Sequence, residues 1–197
     1  RRGRKDDQGA LVAFEACLER VPGSSECLAN AASILSDQGS DDQRTADFYE
    51  RAMSVAPDSP EVLNNYGYFL ETRGRVAEAL EKYEESIVLD PQNAEAHHAY
   101  GNALLEFEGG EGAAQNNVKA FRQFETAIQL DPMLSEPLAS LAELYRLRGS
   151  EHIMDNKDLG GVLGRHEIEE GVGELEQALK YYGKARRTAE FGLTAAG

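Results

Sequence analysis

Apolar and polar positions follow a helical period along this chain, and small residues recur inside the apolar stripe. Residues 60–93 show the pattern most clearly. The first half places Leu63, Tyr66, Gly67 and Leu70 on one helix face, and the second half does the same with Ala79, Leu80, Tyr83, Ser86 and Ile87. Gly74 lies between them, where glycine ends a last helical turn. Asp90-Pro91 stops the second helix, because the residue before a proline is driven out of the helical region. The segment therefore predicts a helical hairpin. Gly67, Ala79 and Ser86 let its two helices approach closely, and Tyr66 and Tyr83 fill the space between neighbouring hairpins.

The hairpin repeats. Pro22, Pro57, Pro91 and Pro132 are spaced by 35, 34 and 41 residues. The aromatics Phe14, Tyr49, Tyr83, Phe124 and Tyr182 are spaced by 35, 34, 41 and 58. Three residues after each aromatic stands Cys17, Ala52, Ser86, Ala127 or Ala185, and four before it Ala10, Thr45, Ala79, Ala120 or Ala178. Four positions with shared steps are not a chance pattern.

This repeat resembles that of the tetratricopeptide (TPR) family, which runs ~34 residues as helix–turn–helix with such aromatics, Gly, Ala and Pro. Leu63 stands where the family usually carries an aromatic. The resemblance covers nearly the whole chain. It implies an all-α fold, a right-handed α-solenoid of stacked helical hairpins forming a TPR-like superhelix. A lone second helix is expected at 8–21, with repeats at 25–59, 60–93, 94–134 and 135–192, a flexible end at 1–7 and a tail at 193–197. The third repeat holds about seven extra residues around 108–117 and the fourth about 24 around 150–173, measured against ~34. Both insertions fall between the two helices of a hairpin, and such insertions map to loops on one face. The second is rich in glycine and reads as a mobile loop or as a partner-contacting loop with a short helix near 153–158. The chain begins at Arg1 inside a repeat, which suggests a piece of a longer protein.

The resemblance also implies a concave groove lined by the first helices. Its residues would be Glu26, Ala29, Asn30 and Ser33; Glu61, Asn64, Asn65 and Tyr68; Glu95, His98, Ala99 and Asn102; then Glu136, Ala139, Ser140 and Glu143. Each set starts with Glu. Either Glu complements the helix dipole in the first turn, or it forms an acidic rim that prefers basic or neutral partner segments. The recurring asparagines offer a donor and an acceptor together, which suits an extended peptide backbone. They are also mediocre helix formers, so propensity does not explain them. Solvated polar side chains on an exposed face are the plainer reading. Family members that grip acidic chaperone tails use Lys and Arg on successive first helices. The matching positions are Ala29, Glu61, Asn64, Glu95, His98 and Ala99, which argues against that partner class.

Composition narrows the rest. Hydrophobic residues make up 41 % of 197, enough for a core, and the net charge is −15. That balance opposes nucleic-acid binding, which needs clustered Lys and Arg. No run reaches the ~18 apolar residues of a membrane span. Cys17 and Cys27 give neither a metal-ligand pattern nor a disulfide framework, and a reducing compartment is the default expectation. His97-His98 is no metal pair, because adjacent helix residues do not share a face. His152 and His166 lack zinc-type spacing, and Gly160, Gly161 and Gly164 lack the Lys-Ser/Thr of a phosphate loop. No nucleophile with a base is discernible, so no enzymatic activity, cofactor or metal is expected. The expected function is a protein-interaction scaffold or adaptor that holds a partner segment in its groove. The alternatives are a structural subunit docked through edge insertions and uncapped ends, and a non-catalytic helical arm of a larger enzyme.

Overall fold

A computed structural model describes residues 3–39, 42–107, 112–158, 173 and 176–188. These are helices and short turns, with no strand among the described residues. The chain divides into two compact units, 1–91 and 92–197. The first holds α1 (Gly3–Arg20), α2 (Ser25–Gln38), α3 (Asp42–Val55), α4 (Pro60–Thr72) and α5 (Val76–Leu89). The second holds α6 (Ala94–Glu106), α7 (Ala113–Leu130), α8 (Ser135–Asp158) and α9 (176–188). The fold class is all-α, of stacked TPR-type hairpins.

In unit 1, α2 pairs with α3 and α4 with α5, α1 packs on α2, and the first helices α2 and α4 touch across repeats. In unit 2, α6 pairs with α7, α7 packs on α8, and α6 touches α8. The small positions are the ones the repeat predicts: Thr45, Ala79 and Ala120 are fully buried, as are Ala52, Ser86 and Ala127. The aromatics Tyr49, Tyr83 and Phe124 fill the hairpins. Tyr66 stacks on Tyr49 of the preceding hairpin at 5.2 Å between ring centres, as expected for a side chain filling inter-hairpin space.

Three repeat boundaries share a local cause. Two residues after Pro22, Pro57 and Pro91 stand Ser24, Ser59 and Asn93, and each side-chain oxygen accepts from a backbone N–H of the helix it starts, at 3.3, 3.4 and 3.0 Å. This N-cap satisfies a donor that the helix leaves orphaned. Gly74 ends α4 at φ +74°, with Gly74 N–H donating to Glu71 O and Arg75 N–H to Leu70 O, the paired bonds of a Schellman motif.

Four findings differ from the sequence expectations. α1 begins at Gly3, so residues 3–7 are helical rather than a flexible end. The first insertion is not all loop: residues 113–117 prolong α7 by more than a turn, and Asn116, 5 % exposed, donates from Nδ2 to Phe107 O at 3.1 Å to clasp the two ends together. The start of the second insertion continues α8 unbroken to Asp158, in place of a separate short helix; 159–172 lie outside the described residues. Finally, Cys17 and Cys27 form a disulfide. The last turn of α1 and the first turn of α2 flank the Pro22 turn, which brings their Cα atoms to 6.5 Å. That crosslink removes the basis for expecting a reducing compartment, since disulfides persist in oxidising ones.

Candidate protein-binding surface

In unit 1, the first helices α2 and α4 run side by side and leave a cavity of about 310 Å³ between their N-terminal halves. Glu26, Ala29 and Asn30 line it from α2, and Glu61, Val62 and Asn65 from α4. Glu61 and Asn65 are the repeat equivalents of Glu26 and Asn30, one step of 35 residues later. Ala29 and Val62 are buried and form the apolar floor. Asn30 and Asn65 are half-buried and hold no hydrogen bond among the described residues, so both amides face the cavity with donors and acceptors unspent. Glu61 accepts from the Ser59 hydroxyl at 3.2 Å and remains exposed.

Asn64 does not join this group. Its Oδ1 is buried and has no hydrogen-bond partner among the described residues. Adjacent helix positions diverge by about 100°, which separates Asn64 from Asn65. Tyr68, one turn beyond Asn65, is 52 % exposed.

Unit 2 treats the corresponding residues differently. Glu95 is exposed at the start of α6. His98 and Asn102 are tied to α8: His98 Nε2 lies 3.0 Å from Ser140 Oγ and 3.2 Å from Asn102 Nδ2, and Ser140 Oγ donates to Asn102 Oδ1 at 3.3 Å. Whether Nε2 donates or accepts in these contacts is set by the ring tautomer. Burial pushes the His98 pKa below the ordinary histidine value, against a smaller opposing pull from Glu136. Both neighbours meet the same ring nitrogen, so the cluster lacks the opposed partners that a serine–histidine relay needs. Glu143 is likewise engaged. Arg146 grips both of its oxygens at 2.8 and 2.5 Å, and the Tyr182 hydroxyl donates to it at 2.7 Å. The Arg146 hydrogen bond, then that of Tyr182, lower its pKa to about 2.

Glu26, Glu61, Glu95 and Glu136 are all exposed first-turn acids. His97 is buried with Nδ1 donating to Gln123 Oε1 at 2.6 Å, a satisfied core histidine. The His152 side chain and His166 lie outside the described residues. Among the described residues no group of His, Cys, Asp and Glu is arranged to hold a metal ion, and no helix is long and apolar enough to cross a membrane. The contacts of His98 with Ser140 and of Glu143 with Tyr182 were not readable in advance, because those partners lie 42 and 39 residues away.

Two family models match the chain, one described as tetratricopeptide repeat over residues 48–81 and one as TPR repeat over 72–106. The structure is similar to that of MamA, at TM-score 0.66 and 19 % identity, covering 98 % of this chain and 94 % of that one. It is similar to PilF of Pseudomonas aeruginosa, at TM-score 0.65 and 20 % identity, covering 98 % and 91 %. The first TPR of Spaghetti (RPAP3), solved with an HSP90 peptide, matches at TM-score 0.55 and 19 % identity, over 62 % of this chain and 91 % of that one.

Proposed function

We propose that this chain, whose residues 48–106 match tetratricopeptide-repeat models, is a protein-interaction scaffold that holds an extended segment of a partner protein in the cleft between α2 and α4. The observation that carries this reading is the repeated Glu–Asn pair around one cavity, Glu26 with Asn30 and Glu61 with Asn65. The two amides meet a peptide backbone through its N–H and C=O groups whatever the partner's side chains. The exposed carboxylates of Glu26 and Glu61 favour a basic or neutral segment and repel an acidic one. Ala29, Glu61, Asn64, Glu95, His98 and Ala99 still carry no Lys or Arg, so the HSP90 peptide of the RPAP3 complex is not the ligand chemistry proposed for this chain. In unit 2, His98, Asn102 and Glu143 are bonded internally, which concentrates the proposed contact on unit 1. Tetratricopeptide repeats are typically non-catalytic, and the role proposed is binding without turnover.

The test replaces Asn30 and Asn65 by Ala and measures binding to partners recovered by co-purification with the native chain. Each substitution should weaken binding by ~1–3 kcal/mol, the cost of leaving a desolvated partner group unpaired. Unchanged binding to every recovered partner contradicts the reading. Loss only on deleting 151–173 would instead support a subunit docked through its edge insertion.

A further inference from the structure

Each unit has a cleft where the turn after one hairpin meets the second helix of the next. In unit 1 it measures about 500 Å³, and Pro57 and Asp58 of the turn, Leu63 of α4 and the outer face of α5 line it. In unit 2 it measures about 370 Å³, and Pro132 and Met133 of the turn, Leu138 of α8 and the outer face of α9 line it. The two are the same place in the repeat. Pro57 and Leu63 map to Pro132 and Leu138 with a step of 75, and Glu85, Val88 and Leu89 map to Lys184, Arg187 and Thr188 with a step of 99, the step that also takes Tyr83 to Tyr182.

The charge at this shared place is reversed. On α5 the outer stripe carries Glu81, Glu84 and Glu85, with Asp58 beside them. Only Glu85 is paired, with Lys82 at 2.8 Å; Asp58, Glu81 and Glu84 form no ion pair among the described residues. On α9 the stripe carries Lys180, Lys184 and Arg187, all exposed. Lys184 lies over the Tyr181 ring, and Arg187 has no ion pair among the described residues. Aliphatic side chains turned to water accompany both stripes: Val88 at 75 % and Leu89 at 42 % exposure on α5, and Leu179 at 72 % at the edge of the stripe on α9. Gly183 sits mid-stripe on α9 with nothing within 4 Å of where a Cβ would be, which leaves room for a second helix to come close.

We propose that copies of this chain associate by pairing the acidic face of α5 in one copy with the basic face of α9 in another. The two helices lie together with Val88 and Leu179 at the contact, and Glu81 and Glu84 opposite Lys184 and Arg187. Opposed fields steer the encounter and set the register. One helix pair buries less area than a permanent interface, so the association is weak, reversible and salt-sensitive.

Sedimentation equilibrium across a concentration series tests this. The native chain should self-associate at low salt and become monomeric at about 0.5 M salt, where charges are screened beyond about 4 Å. Two double variants complete the design: Glu81→Lys with Glu84→Lys, and Lys184→Glu with Arg187→Glu. Each should weaken self-association about tenfold or more, since like charges now face each other. Mixing the two variants should restore association between them. All four positions are exposed, so circular dichroism should show unchanged helicity. A native chain monomeric at low salt, self-association indifferent to both double variants, or a mixture that fails to associate would each overturn the proposal.

Discussion

Gly67 on α4 sits against the ring of Tyr83 on α5, and replacing it by Ala tests how tightly the hairpins are packed. A Cβ there would lie 2.8, 2.9 and 3.1 Å from the Cε1, Cδ1 and Cζ atoms of Tyr83. Carbon atoms prefer about 3.5–4.0 Å, so the ring would have to move by several tenths of an ångström. It cannot do so cheaply: Tyr83 is fully buried, and its hydroxyl donates to Glu71 at 2.5 Å. Overpacking of this kind costs about 1–3 kcal/mol. Alanine recovers about 1 kcal/mol of helix propensity, so the net loss is about 1 kcal/mol. The control is Gly9→Ala on α1 of the same unit, where a Cβ meets nothing within 4 Å; it should gain up to about 1 kcal/mol. The pair is read by urea unfolding followed by circular dichroism, with the slope unchanged and the midpoints moving in opposite directions. The same contrast should appear between Gly101→Ala, whose Cβ would lie 2.5 Å from Phe124 Cε1, and Gly183→Ala. If Gly67→Ala stabilises as much as Gly9→Ala, the close approach of paired helices is wrong.

Two further predictions concern covalent and protonic control. Reducing the Cys17–Cys27 bond, or replacing both residues by Ser, should lower the unfolding free energy of unit 1 by about 3 kcal/mol, the chain-entropy value for a loop of this length; an unfolding midpoint that ignores reductant refutes a formed crosslink. His98 is held below its ordinary pKa, so the unfolded chain binds its proton more readily than the folded one. Its contribution is present above the unfolded value of about 6.5 and is lost as pH falls toward the folded value. His98→Gln should therefore flatten the pH dependence of unit 2 stability between about pH 7 and 5, and an unchanged slope contradicts the assignment.

The repeat was legible because packing repeats. Tyr49, Tyr83 and Phe124 occupy one volume three times over, and Ala52, Ser86 and Ala127 must each be small there, so composition at those positions is dictated by neighbours one hairpin away. The caps Ser24, Ser59 and Asn93 carried a readable signal too, two residues beyond Pro22, Pro57 and Pro91. The disulfide was not legible from cysteine spacing alone; it depends on how the Pro22 turn folds α1 back onto α2. The insertions were misread where they continue helices, because the residues that prolong α7 and α8 lie outside the repeat register. Within the candidate surface, Asn65 and Asn64 are one residue apart yet face a cavity and a buried site respectively. Glu143 looked like a groove residue until Tyr182, brought back past the long insertion, closed on it. The charge reversal between α5 and α9 was present in the letters, but it gains meaning only when both stripes are seen to face solvent.

The central claim is that the α2–α4 cleft receives a partner protein. A photo-crosslinking side chain placed at Asn65 interrogates it directly, with the same group at Asp47 on α3, an exposed position remote from the cleft, as reference. The account predicts adducts from position 65 that map to one short, basic or neutral stretch of a partner, and none from position 47. Equal adducts from both positions, or none from position 65 in the presence of co-purifying partners, would contradict it.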